Sequence, residues 1–111
     1  MSSATSGRAR EYKVRDDLAQ HGWEQIARSA GSKGPADLIL AHEDYGVALV
    51  QVGTASKTLG PADRARLLRA AWLCSALPIV AAVDRSIRYR RVIDGPPSKW
   101  EPWSPGEVEV S

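Results

Sequence analysis

Apolar positions four apart, Val14 and Leu18, predict a helix over Gly7–His21 with a stop at Gly22. Trp23 to Ser29 reads as a strand, and "AGSKGP" as a loop of turn residues. "ADLILAH" and "VALVQV" are two further strands joined through the tight turn "EDYG". Pro61 suits a first helical position and Asp63 the positive end of a helix dipole, so a second helix starts there, with Leu67, Leu68, Ala71 and Trp72 on its buried side. "PIVAAV" is too short and too β-branched for a helix and reads as a buried strand. "SIRYRRVI" alternates apolar with basic and reads as a more exposed one. The order is α, β, β, β, α, β, β: an α/β fold, a single small domain with a mixed central sheet flanked by helices. Residues 1–6 are expected to be a flexible start, 7–94 the domain, and 95–111 a Pro/Trp-containing tail whose Trp100 and Trp103 fold back on the body.

Alternation also places polar side chains. Asp37, Ile39 and Ala41 share one face of their strand; Val47, Leu49, Gln51 and Gly53 share one face of the next. An antiparallel hairpin through "HEDYG" brings Asp37 beside Gln51 and Gly53. On the first helix Glu11 falls three residues before Val14, on the apolar stripe. A carboxylate there is costly unless a cation or hydrogen-bond donors answer it, and a salt bridge to an arginine is the plainest answer.

Composition narrows the classes. At 111 residues, 43% hydrophobic and 25% charged, the chain has one modest core and is neither disordered nor membrane-embedded. No apolar run approaches the roughly 20 residues of a spanning helix, and "MSSATSGRAR" lacks the apolar stretch of a secretory signal, so a cytoplasmic protein is expected. The single cysteine, Cys74, reads as a small core residue, and Trp72 likewise as core. His21 and His42 lack the spacing of a zinc site. The formal net charge is only +2, yet its arginines cluster: Arg8 and Arg10 with Lys13 and Arg15 at the start, Arg64, Arg66 and Arg69 in the middle, Arg85, Arg88, Arg90 and Arg91 late. A basic face for nucleic acid is one reading and a solvated face the other. Tyr89, between Arg88 and Arg90, is read as packing ahead of stacking on DNA.

The element order, with "GRAREYKVRDDLAQHGW", "ARSAGSKGPADLIL" and "VALVQV", resembles the Holliday junction resolvases of the archaeal and bacteriophage type, within the PD-(D/E)XK nuclease superfamily. The resemblance covers Gly7 to about Val92. It implies a restriction-endonuclease-like αβββαβ core and a homodimer that nicks two strands of four-way-junction DNA in recombination, with Mg²⁺ or Mn²⁺ as cofactor. By the same resemblance Glu11, Asp37 and Gln51, with the Val52 carbonyl, are the metal ligands. Ser32 is the loop serine of the catalytic set, and Arg28 a basic residue beside DNA. Arg8, Arg10, Lys33, Arg88 and Arg90 join Arg28 as the expected DNA contacts.

Two departures matter. Gln51 stands where an acid is expected, keeping an oxygen ligand and losing a charge, and Gly53 stands where the motif lysine is expected. Losing such a preorganised charge costs about 10²–10³ in rate. Lys57, four residues beyond Gly53, and Lys33, next to Ser32, are the candidate replacements. The aspartate motif is also stretched, reading "PAD". Two functions follow: a metal-dependent, structure-selective endonuclease, or an inactive nuclease-fold protein that binds branched DNA or a protein partner.

Overall fold

The computed structural model describes residues 3–28 and 34–106. Helix α1 spans Ser3–Ala19, strand β1 Trp23–Arg28, β2 Leu38–His42, β3 Gly46–Thr54, helix α2 Pro61–Cys74, β4 Leu77–Val83 and β5 Ile87–Arg91. A 3₁₀ turn at Pro97–Lys99 leads into a two-residue strand, β6, Glu101–Pro102. The strands form one sheet in the order β1-β2-β3-β4-β5-β6. Only the β3–β4 pair is parallel. Its crossover is α2, as two parallel neighbours require. The other four pairs are antiparallel, so this is a small α/β domain with a mixed sheet.

Strand alternation divides the core into two layers. Toward α1, Val14 and Leu18 pack with Leu38, Leu40, Ala48, Val50, Ile79, Ala81 and Tyr89. Toward α2, Leu67 and Ala71 pack with Leu49, Val80, Val92 and Trp100. The first helix starts four residues earlier than the apolar pattern predicts, because adding a turn to a formed helix needs no new nucleus. It ends before Gly22, which takes φ +89, a left-handed conformation that suits glycine.

Two side chains and one strand differ from the sequence reading. Trp72 is 74% exposed rather than core. It lies five residues after Leu67 and one after Ala71, roughly 140° and 100° around the helix from these two buried positions. Cys74 is exposed as well, at the last helical position, before Ser75 turns left-handed and the chain leaves for β4. Strand β5 is less open than its arginines suggest, since Tyr89 is 7% exposed and donates a 2.7 Å hydrogen bond to Asp17 Oδ2 on α1. Burial first, and then that carboxylate, push the Tyr89 phenol far above its usual range.

The segment after Val92 crosses the sheet edge. Trp100 is buried in the α2 layer, while Trp103 packs edge-on against Trp23 and Tyr89 in the α1 layer, 5.7 Å from each ring. Both tryptophans therefore fold back on the body, one on each side of β6. Among the described residues no helix is long and apolar enough to cross a membrane.

Candidate functional site

Strand register builds the first part of the site. Leu38 faces Val50 across the β2–β3 pair, so Asp37, just outside β2, arrives beside Gln51 and Val52 as the hairpin predicts. Its backbone N–H donates to the Val50 carbonyl at 2.9 Å, and its Oδ2 accepts the Val52 N–H at 2.7 Å. A residue tied through its backbone N–H and one carboxylate oxygen is held in one orientation. The second carboxylate oxygen is left for other partners. The Gln51 amide is fixed in the same way: its Nε2 donates to the Pro35 carbonyl at 2.6 Å, leaving Oε1 as the group's acceptor.

Helix α1 brings Glu11 to the same place. Glu11, Asp37, Gln51, Val52 and Lys57 line one cavity of about 300 Å³ together with Arg10, Asp63 and Arg66. These charged side chains are three acids and three cations, a balanced lining. Glu11 Oε1 also accepts a hydrogen bond from Arg28 at 3.2 Å, so the arginine expected beside DNA is at the same time the ion-pair partner of the helix glutamate. No group of three or more His, Cys, Asp or Glu side chains that could hold a metal ion is present among the described residues.

Lys57 reaches the cavity by a tight turn. Its N–H donates to the Thr54 carbonyl at 2.9 Å, an i to i+3 bond that reverses the chain immediately after β3. The reversal lays the Lys57 stem over Gly53: a Cβ built at position 53 would meet Lys57 Cδ at 2.5 Å, Cγ at 2.7 Å and Cβ at 2.9 Å. The volume that a side chain at 53 would occupy is thus filled by the side chain of residue 57. Glycine at 53 is what makes that possible.

The remaining candidates divide. Arg10 lines the cavity, whereas Arg8 is exposed on α1 and is not among the lining residues. Arg88 and Arg90 share the sheet face that carries Gln51 and Gly53, through the cross-strand rows Gly53–Ala82–Arg88 and Gln51–Val80–Arg90. Their guanidinium groups donate to the carbonyls of Ala55 and Lys57. Ser32 and Lys33 lie outside the described residues. Asp63 and Arg66 were not among the sequence candidates. Asp63 had been accounted for by helix initiation, and only the packing of the α2 N-terminus against the β3 turn shows its second role. The two histidines stay structural: His42 Nε2 lies 2.9 Å from the His21 carbonyl, and His42 Nδ1 accepts the Asp44 N–H.

Set beside known proteins, the chain matches no family model and no curated protein sequence.

Proposed function

We propose that the chain is a divalent-metal-dependent, structure-selective DNA endonuclease of the Holliday junction resolvase kind, built on a restriction-endonuclease-like core, with Lys57 taking the part of the missing motif lysine. The observation that carries this reading is the stem of Lys57 lying over Gly53, in one cavity with Glu11, Asp37 and Gln51. Hydrolysis of a phosphodiester adds charge to an anionic centre, so it needs fixed positive charge and oxygen ligands for a hard cation at one place.

The donor set suits Mg²⁺ or Mn²⁺. Glu11 and Asp37 offer carboxylate oxygens and Gln51 an amide oxygen, each side chain already anchored through another atom. Such an ion would supply Lewis-acid stabilisation of the phosphate oxygens. Lys57 would place an ammonium against the same phosphate, and Arg10 would hold the neighbouring backbone. The set has two acids, and looser metal binding than a three-acid site is expected.

Paired nicks in a four-way junction need two sites, and one chain holds one. A homodimer meets that need, and the exposed Trp72 and Leu73 on α2 are the apolar surface we assign to the second copy. The second reading is a protein that binds branched DNA without cutting it. The Glu11–Arg28 ion pair favours it, because the pair answers the glutamate's charge without a metal.

A cleavage assay on a labelled four-way junction and a matching linear duplex, with Mg²⁺ or Mn²⁺, separates the two. The nuclease reading expects junction nicking by wild type and a fall of about 10²–10³ in Lys57→Ala, the cost of one preorganised electrostatic group. Partial recovery is expected in Gly53→Lys/Lys57→Ala, where the Cγ and Cδ that crowd position 53 are gone and only the Cβ contact at 2.9 Å has to relax. Junction cleavage indifferent to Lys57→Ala overturns the role of Lys57. Binding without cleavage in every variant leaves the binding reading.

A further inference from the structure

Arg88 and Arg90 sit at alternate positions of β5, on the face that continues from Gln51 and Gly53. Surface arginines on a strand facing a nucleic acid would leave their forks free for phosphate. These two are engaged: Arg88 Nη2 donates to the Ala55 carbonyl at 3.1 Å and Arg90 Nη2 to the Lys57 carbonyl at 3.0 Å. Both acceptors belong to the turn that returns Lys57 over Gly53. Arg90 is itself held, its guanidinium 5.1 Å from the ring centre of Trp100, which is 6% exposed and donates through Nε1 to the Gly95 carbonyl. A path of direct contacts therefore runs from the post-β5 segment through Trp100 and Arg90 to the backbone of Lys57.

We infer that Arg90, braced by Trp100 and assisted by Arg88, is a positioning residue: it fixes the 55–57 turn so that the Lys57 ammonium is presented to the cavity of Glu11 and Asp37. This rests on the nuclease reading for its consequence in catalysis, but the placement of Lys57 can be tested without it. The physical reason is that the turn is exposed from Thr54 to Ser56 and the chain next enters the core only at Leu59. Within it the Lys57 N–H to Thr54 carbonyl bond closes the reversal, and nothing in that bond sets the angle at which the turn leaves the sheet. Two guanidinium groups from β5, two strands away in the same sheet, each donating to a carbonyl of the turn, do set it. A planar, multidentate donor suits this task better than an ammonium, so lysine should replace Arg90 poorly.

Two readouts test the inference. In the first, lysine methyl groups are introduced with ¹³C-formaldehyde, and the signals of the chain's lysines, Lys13, Lys33, Lys57 and Lys99, are followed by NMR, with Lys57 assigned by its loss in Lys57→Arg. Arg90→Gln and Trp100→Ala should move the Lys57 signal to the position of a solvated lysine and leave Lys13 in place, with wild-type-like melting in Arg90→Gln showing that the fold persists. A Lys57 signal unmoved by Arg90→Gln overturns the inference, whether or not the protein cuts DNA.

In the second readout, junction cleavage is measured in a double-mutant cycle. Arg90→Gln should lower kcat by about 10–100-fold with little change in KM, the scale expected when a reacting group is displaced by about 1 Å. Arg90→Lys should recover only part of the loss, and Arg90→Gln should have no further effect in the Lys57→Ala background. A loss that persists in that background and appears mainly in KM would make Arg90 a DNA contact and overturn the positioning role. Absence of cleavage by wild type, with the Lys57 signal still responding to Arg90→Gln, would count against the nuclease reading alone.

Discussion

Among single side chains, Tyr89 shows how burial and a partner act together. Its phenol lies between β5 and α1 and donates to Asp17, so the folded protein keeps its proton well beyond the pH at which an unfolded tyrosine, with a pKa of about 10, loses it. The folded state therefore binds more protons than the unfolded state in that window, and stability must fall as pH rises above about 10. Chemical denaturation across that range should show the decline in wild type and a shallower one in Tyr89→Phe. Equal slopes would mean that Tyr89 ionises in the folded protein. Glu11 and Gly53 carry the other lesson of this scale. The carboxylate on an apolar stripe is answered by Arg28, and the glycine that reads as a lost lysine is a seat for another lysine.

At the scale of elements, α2 is the informative one. Its inner line, Leu67 and Ala71, is covered by the sheet, while Trp72 and Leu73 stand exposed and Arg69 lies 5.7 Å from the Trp72 ring centre. A shallow groove formed by Ala65, Leu68, Arg69 and Trp72 with Asp94 runs beside it. Large aromatics that are fully desolvated on association dominate interface energies, commonly at about 2 kcal/mol or more per residue. Trp72→Glu should accordingly convert a dimer to a monomer in analytical ultracentrifugation while leaving the melting temperature of the monomer unaffected, because the side chain supports no part of the core. A wild-type protein that is monomeric at high concentration would remove the proposed second copy. The short strand β6 matters in a different way: by pairing with Arg90 and Arg91 it fixes the separation of Trp100 and Trp103, and with it the layer that each one fills.

Across the whole molecule, charge is arranged rather than abundant. The net charge is only +2, and the cavity lining balances acids with cations. Binding to DNA would then depend on a few local contacts, with Arg8 exposed on α1, Arg10 half-buried at the cavity, and Arg28, Arg88 and Arg90 already partnered. Engagement of three phosphates predicts a fall in duplex affinity of roughly 40-fold between about 50 and 200 mM salt, measured by fluorescence anisotropy. A flat response would direct the search to a protein partner. Arg8→Ala should reduce the slope, whereas Arg88→Ala should leave it unchanged, since that guanidinium serves the turn.

Much of the architecture was legible from the chain itself. The periods of 3.6 and 2 in Val14/Leu18, "LILAH" and "VALVQV" specify which faces are buried, and the hairpin through "EDYG" follows from strand length and turn chemistry, so the meeting of Asp37 with Gln51 was determined locally. The entry into α2 at Pro61 was equally local. Other features depend on what packs against what, which no short window contains. Trp72 and Cys74 belong to an apolar stretch, but the sheet covers only one line of that helix. The arginines of β5 read as free charge until the turn after β3 is folded over them and takes their donors. What fills the space beside position 53 was likewise decided only by tertiary structure, because a glycine leaves open the volume a side chain would take, and what occupies that volume is set by the path of the chain beyond it.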